Sequence, residues 1–223
     1  MHFISYLKRG TGKVCVLPSF VTVFPEREVL TLLNLKPAVL VTTVGKDGSV
    51  NAAPFSRFSI VDYNPPRLLF SVNMERDTYR NVLETEEFVL NYPSTRLLKQ
   101  IWVTSKHYPY GVSELEKADL SALPSERVTP PKIAECCVHM ECRAVWTKPI
   151  GSSCLVLGDI LSITMDRKME QLKSKGKVGR LNPPLYFAFS EDQETRRWMF
   201  AEIGKLHTVA EKDEKAHITS KLL

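Results

Sequence analysis

Two short stretches of the chain carry side chains suited to holding a ligand. Ser71-Val72-Asn73-Met74-Glu75-Arg76-Asp77-Thr78 stands where a strand-like run gives way to a helix-like one. The first turn of a helix has N–H groups without intrahelical partners and a dipole that favours an anion. Arg76 adds positive charge there, Ser71, Asn73 and Thr78 add hydrogen-bonding groups, and the Asp77 carboxylate must turn away from any anion. The same Asp77-Thr78 pair is equally suited to capping that helix. The second stretch is Asn51-Ala52-Ala53-Pro54-Phe55-Ser56-Arg57. Its small residues let a flat ring approach the strand backbone, whose N–H and C=O groups then become available to it. It also reads as an ordinary strand bulged at Pro54.

Other chemistries lack their residues. No glycine-rich phosphate loop of the P-loop or dinucleotide type is present, and no His-Glu-x-x-His, zinc-finger spacing or Gly-x-Ser-x-Gly elbow. The five histidines, His2, His107, His139, His207 and His217, are scattered, which argues against a metal centre. His139 is the one candidate for assisting a proton, and it reads more readily as a satisfied strand histidine. Five cysteines, Cys15, Cys136, Cys137, Cys142 and Cys154, include no Cys-x-x-Cys pair. Neighbours on a strand face opposite ways, so one of Cys136 and Cys137 belongs to the core, and reduced thiols are expected.

The net charge of +5 is mild. It suits a phosphate-bearing small ligand without calling for nucleic acid, and Lys173, Lys175, Lys177 and Arg180 read as a solvated loop. No apolar run reaches the roughly 20 residues of a membrane span, and the start lacks the pattern of a secretory signal. The expected setting is the cytoplasm, with no membrane partner.

The elements that must position these stretches are mostly strands. Residues 1 to 35 form an irregular lead-in, with a short helix expected over Pro25 to Leu33. Pro37 to Val44 is apolar and β-branched, Asp47-Gly48 makes a tight turn, and Val50 to Val61 runs back, so the first unit is a hairpin. Asn64-Pro65-Pro66 breaks the chain before a strand at Arg67 to Val72. A helix follows to about Thr85, capped by Asp77 or Thr78. A strand at Glu87 to Asn91 precedes a helix from Ser94 through Trp102, and Ser113 opens a short helix. Cys136 to Thr147 and Cys154 to Met165 are long strands joined near Gly151, where Gly158 marks a bulge or a close backbone approach. A last strand is expected at Leu185 to Phe189, and the charged chain beyond Phe200 is expected to fray. Strands linked by hairpins and short helices predict a mainly β fold, an antiparallel barrel with peripheral helices. One domain, residues 36–200, lies between an extension, 1–35, and a tail, 201–223.

The ordered set of pieces resembles the flavin reductase-like, FMN-binding split-barrel family that includes flavoredoxin. The resemblance rests on Pro37 to Thr43, Asp47-Gly48, Asn51 to Ser56, Asn64-Pro65-Pro66, Leu69-Phe70-Ser71, Asp77-Thr78, Asn81-Val82, Glu84-Thr85 and Glu87 to Asn91. Tyr108 to Leu115, Ala118 to Leu120, Glu141 to Arg143 and Leu155 to Ile160 extend it, so that it covers about residues 30 to 190. It implies a Greek-key split barrel and non-covalent FMN near a homodimer interface, with NAD(P)H or another donor reducing the flavin. Carried over, Asn51, Ala52, Ala53, Pro54, Phe55, Ser56 and Arg57 face the isoalloxazine ring. Ser71, Asn73, Arg76 and Thr78 surround the phosphate, and Lys106 or His107, and Tyr186, reach the cofactor. Two departures stand out. The lead-in is longer than the family core needs, and Arg57 occupies a place where some relatives carry a ring-covering aromatic, a part that Phe55 or Phe58 would have to take.

Overall fold

Alternating apolar and polar residues make the antiparallel strands that dominate the chain. The structure, a computed structural model, describes residues 35–191, 196–212 and 215–222; the lead-in, its expected helix at Pro25 to Leu33, His2 and Cys15 lie outside the described residues. The chain runs through β1 (Lys36–Pro37), β2 (Val39–Val44), β3 (Val50–Phe55), β4 (Phe58–Tyr63), β5 (Pro66–Asn73), α1 (Asp77–Thr85) and β6 (Glu87–Tyr92). A 3₁₀ turn (Thr95–Leu97), α2 (Leu98–Thr104), α3 (Glu114–Lys117), β7 (Ala122–Leu123) and β8 (Lys132–Ile133) follow. Then come β9 (Val138–Ile150), β10 (Ser153–Met165), α4 (Arg167–Glu170), α5 (Ser174–Leu181), β11 (Leu185–Glu191), β12 (Arg196–Ala201), β13 (Lys205–Lys212) and β14 (Lys215–Leu222).

A seven-stranded antiparallel sheet, in the order β3-β2-β6-β9-β10-β5-β4, is the body of the molecule. Neighbouring β2 residues face opposite ways, so β2 serves two cores. Val39 and Val41 join Phe58, Leu68, Phe70, Val72, Phe88, Leu90 and Val156 inside the curled sheet, with Val82 of α1 packed among them. Leu40 joins Ala52, Ile101, Leu115, Leu120 and Ile133 on the outer face, beneath α2 and α3. A smaller sheet, β1-β11-β12, continues β1.

Most expected strands form, with differences that have physical causes. The stretch from Val50 to Val61 is two strands, because the chain turns at Ser56-Arg57, and β4 returns beside β5. Gly158 meets both expectations: the register with β9 shifts between Leu157 and Gly158, and a Cβ there would lie 2.6 Å from the Phe88 ring. Neither Asp77 nor Thr78 caps α1; Arg76 holds the capping position without a side-chain bond, because Thr78 is committed inside the fold. Ser94 likewise caps its turn without a side-chain bond, whereas Ser113 Oγ does accept from Glu116 N at the start of α3. The lysine-rich segment is a helix, α5, whose Arg180 pairs with Asp166 at 2.9 Å. The chain expected to fray after Phe200 pairs with itself as β13 and β14.

Candidate functional site

Asn51 and Thr78, 27 residues apart, meet at one end of the barrel. Thr43 and Asn51 are register partners on β2 and β3, so their side chains share the inner face, and α1 lies across it. Asn51 Nδ2 donates to Thr78 Oγ1 at 3.0 Å and to Thr43 Oγ1 at 3.3 Å, and Asn81 Nδ2 donates to Thr43 Oγ1 at 3.1 Å. All four residues are buried. Asn81 Oδ1 is a buried acceptor without a partner among the described residues, so the cluster retains unused polar capacity. Asn51 commits both amide hydrogens, which leaves its carbonyl oxygen as the atom free to accept a further donor. Thr78 is only 1 % exposed; its hydroxyl acts as support for Asn51 rather than as an open contact surface.

Above this cluster the surface is cationic. Arg76, exposed at the start of α1, places Nη1 2.6 Å from His107 Nε2 and 2.7 Å from Nδ1, donating to a ring nitrogen that carries its lone pair. Lys106 is the exposed neighbour of His107. One turn along α1, the Arg80 guanidinium stacks over the Tyr110 ring at 4.0 Å. The loop from Lys106 to Tyr110 is thereby bound to α1 through two arginines. On the strand side, Ala53, Pro54, Phe55 and Ser56 are partly exposed and Arg57 is exposed. Phe55 packs edge-on against Phe70, with ring centroids 5.5 Å apart. Ser71 N donates to Arg57 O at 3.0 Å, which fixes the turn after β3 to the adjacent strand. Asn73 Oδ1 accepts from Glu75 N at 2.8 Å and Asn73 O from Arg76 N at 3.2 Å, which shapes the approach to α1.

Three further expected residues have contacts of their own. Ala52 turns to the outer face, and its N–H donates to Glu114 Oε2 at 3.0 Å, so that N–H is already occupied. Burial pushes the Glu114 carboxyl above its ordinary range, although the Ala52 N–H opposes the shift. Tyr186 sits on β11, opposite Lys36, with its ring centroid 5.7 Å from that of Phe200. His139 is on the outer face of the sheet, 6 % exposed, with Nδ1 3.0 Å from Asn91 Oδ1. Burial and the nearby Lys132 charge lower its pKa to about 4. Its Nδ1 has the partner expected of a strand histidine, and it faces away from the inner face that carries Asn51.

Thr43, Asn81 and Glu114 were not among the expected site residues, although Thr43, Asn81 and the segment with Glu114 belong to the family pattern. Asn81 had a local signal, its i+3 spacing from Thr78 on one helix face. Thr43 had only its alternation with Val41, and Glu114 had none, because its partner is a backbone N–H 62 residues away.

The pattern that defines the family described as "Flavin reductase like domain" matches residues 34–196. This chain belongs to the flavin reductase-like family. Its fold is that family's split barrel. An uncharacterised Aquifex aeolicus protein is 37% identical over 143 residues, 62% of this chain and 73% of that protein. Nitrilotriacetate monooxygenase component B from Bacillus cereus superposes with a TM-score of 0.69 at 27% identity, covering 87% of this chain and 98% of its own. Flavoredoxin of Desulfovibrio vulgaris (Miyazaki F) shares the fold at 19% identity and a TM-score of 0.67, over 82% of this chain and 93% of its own.

Proposed function

We propose that this member of the flavin reductase-like family binds FMN non-covalently and passes electrons through it from NAD(P)H, or a comparable donor, to an acceptor. The observation that carries the reading is the meeting of Asn51 with Thr78 beneath the cationic Arg76 and Lys106, with His107 beside Arg76. The donor set fits the cofactor at both ends. Arg76, Lys106 and the first N–H groups of α1 would hold a phosphate, through charge-assisted hydrogen bonds and the helix dipole. The partly exposed strand from Ala53 to Ser56 and the turn at Arg57 would face the ring, and the free Asn51 carbonyl oxygen would accept from a ring N–H.

Bound flavin supplies hydride acceptance and electron release; the protein supplies position and electrostatics. Thr43, Thr78 and Asn81 fix the Asn51 amide. His107 holds the Arg76 guanidinium in place, and Glu114 pins β3 at Ala52. No side-chain acid or base is required of the protein in this reading. Residues 36–200 form the flavin-binding unit and act as a homodimer, which sedimentation at twice the chain mass would verify. Among the described residues Cys136, Cys137, Cys142 and Cys154 are free thiols, and no helix is long and apolar enough to cross a membrane. The setting proposed for it is the reducing cytoplasm, where thiols stay reduced.

The visible spectrum of the purified protein, followed by anaerobic mixing with NADH or NADPH, tests the proposal. Oxidised-flavin absorption that either nucleotide bleaches is expected. A colourless protein that takes up no added FMN would refute the reading. A yellow protein that neither nucleotide bleaches would make it a flavin carrier or an electron-transfer protein with another donor.

A further inference from the structure

The start of β9 and the end of β10 help to line a cavity of about 620 Å³, within the size range of small-molecule sites. β10 begins at Ser153, opposite Asn73, and ends 12 residues later at Met165, on the cavity wall. None of the residues assigned above to FMN lines the cavity.

His139 is the side chain that gives this cavity a chemistry. Asn91 Nδ2 donates to the carbonyl oxygens of Leu40 at 3.1 Å and Val89 at 3.3 Å, which can only accept. Asn91 Oδ1 is therefore an acceptor, taking Ile133 N–H at 2.9 Å and His139 Nδ1 at 3.0 Å. Nδ1 must then carry the ring hydrogen, and Nε2 keeps its lone pair. That side chain is more than nine-tenths buried and lines the cavity, and its Nε2 has no donor among the described residues. The remaining wall is mixed. Leu97, Leu123 and Met165 are apolar, and Arg96 and Arg180 bring guanidinium groups. Arg180 is paired with Asp166, and Glu135 accepts the Ser121 N–H, whereas Arg96 has no ionic partner among the described residues.

We propose that this cavity is a second small-molecule site, for a compact organic anion that also carries a hydrogen-bond donor such as a phenolic hydroxyl. The anionic end pairs with Arg96, the apolar body lies against Leu97 and Met165, and the donor reaches His139 Nε2. A bare inorganic anion is disfavoured, because its oxygens would face a lone pair at His139.

The test uses the full chain as purified, with 4-hydroxybenzoate as probe, and benzoate and 4-hydroxybenzyl alcohol as controls lacking the donor or the anion. The readouts are the imidazole Cε1–H resonance assigned to His139 by its loss in His139→Gln, and calorimetric affinity. Saturable movement of that resonance is expected with 4-hydroxybenzoate. Binding about tenfold or more weaker is expected for each control, and for 4-hydroxybenzoate with Arg96→Gln, the size of one lost charge-assisted contact. No movement at millimolar probe, equal affinity for all three compounds, or an Arg96→Gln protein that binds unchanged would each overturn the proposal. Flavin absorption is not a readout, so failure of the FMN reading would leave this result interpretable.

Discussion

Thr78→Val removes the hydroxyl that accepts Asn51 Nδ2 at 3.0 Å inside the fold. A buried donor left without its acceptor costs about 1–3 kcal/mol, so the urea midpoint should fall by a corresponding amount at unchanged slope. Arg76→Ala acts differently. Arg76 is exposed and touches His107 rather than the core, so stability should stay within about 0.5 kcal/mol of the parent. FMN affinity, read by quenching of flavin fluorescence, should drop by the tenfold or more of a lost charge-assisted contact, about 1.5–3 kcal/mol. The pair of substitutions separates support of the site from contact with the ligand. A Thr78→Val protein of parental stability would show that the buried hydroxyl does not hold Asn51.

The elements are set by a few close approaches as well as by hydrophobic alternation. β10 crosses the Phe88 ring where Gly158 lacks a side chain, and the register with β9 slips at that point. Gly158→Ala puts a methyl group 2.6 Å from Phe88 Cζ. Phe88 is fully buried among Val41, Phe70 and Leu90, so it has little room to yield, and overpacking of this kind costs about 1–3 kcal/mol. The expected result is a lower thermal midpoint with the strand signature of the circular dichroism intact. α1 shows a related economy: its first turn has no side-chain cap, which leaves N–H groups there for a ligand at the expense of helix stability.

Across the whole molecule, buried ionisable groups couple the fold to pH. His139 is held neutral by burial and by Lys132, with its pKa lowered to about 4 from the ordinary 6.5. The unfolded chain takes up a proton on this histidine below about pH 6.5, and the folded chain resists it until about pH 4. Stability from this group is therefore complete above pH 6.5 and falls as the pH drops towards 4, by at most about 3 kcal/mol. Urea midpoints at pH 7, 5 and 4 should decline more steeply for the parent than for His139→Gln, which has no proton to gain. Equal pH slopes would remove His139 from the account.

The sequence by itself determined the strand-rich class, the hairpin turn at Asp47-Gly48, Gly158 as the place of a bulge or a close approach, and the two stretches from which Asn51 and Thr78 come together. Those signals are local: alternation, turn residues and a missing side chain act within a few positions of where they are read. The order of the strands came from resemblance rather than from the residues, since β6 sits between β2 and β9, far apart in the chain. Only the tertiary structure decided that Thr78 is sealed beneath Asn51, that Glu114 occupies the Ala52 N–H, and that His107 rather than a carboxylate meets Arg76. Each of those contacts joins residues 27 to 62 positions apart, and whether a hydroxyl caps a helix, binds a ligand or bridges two strands depends on what the fold brings within 3 Å of it.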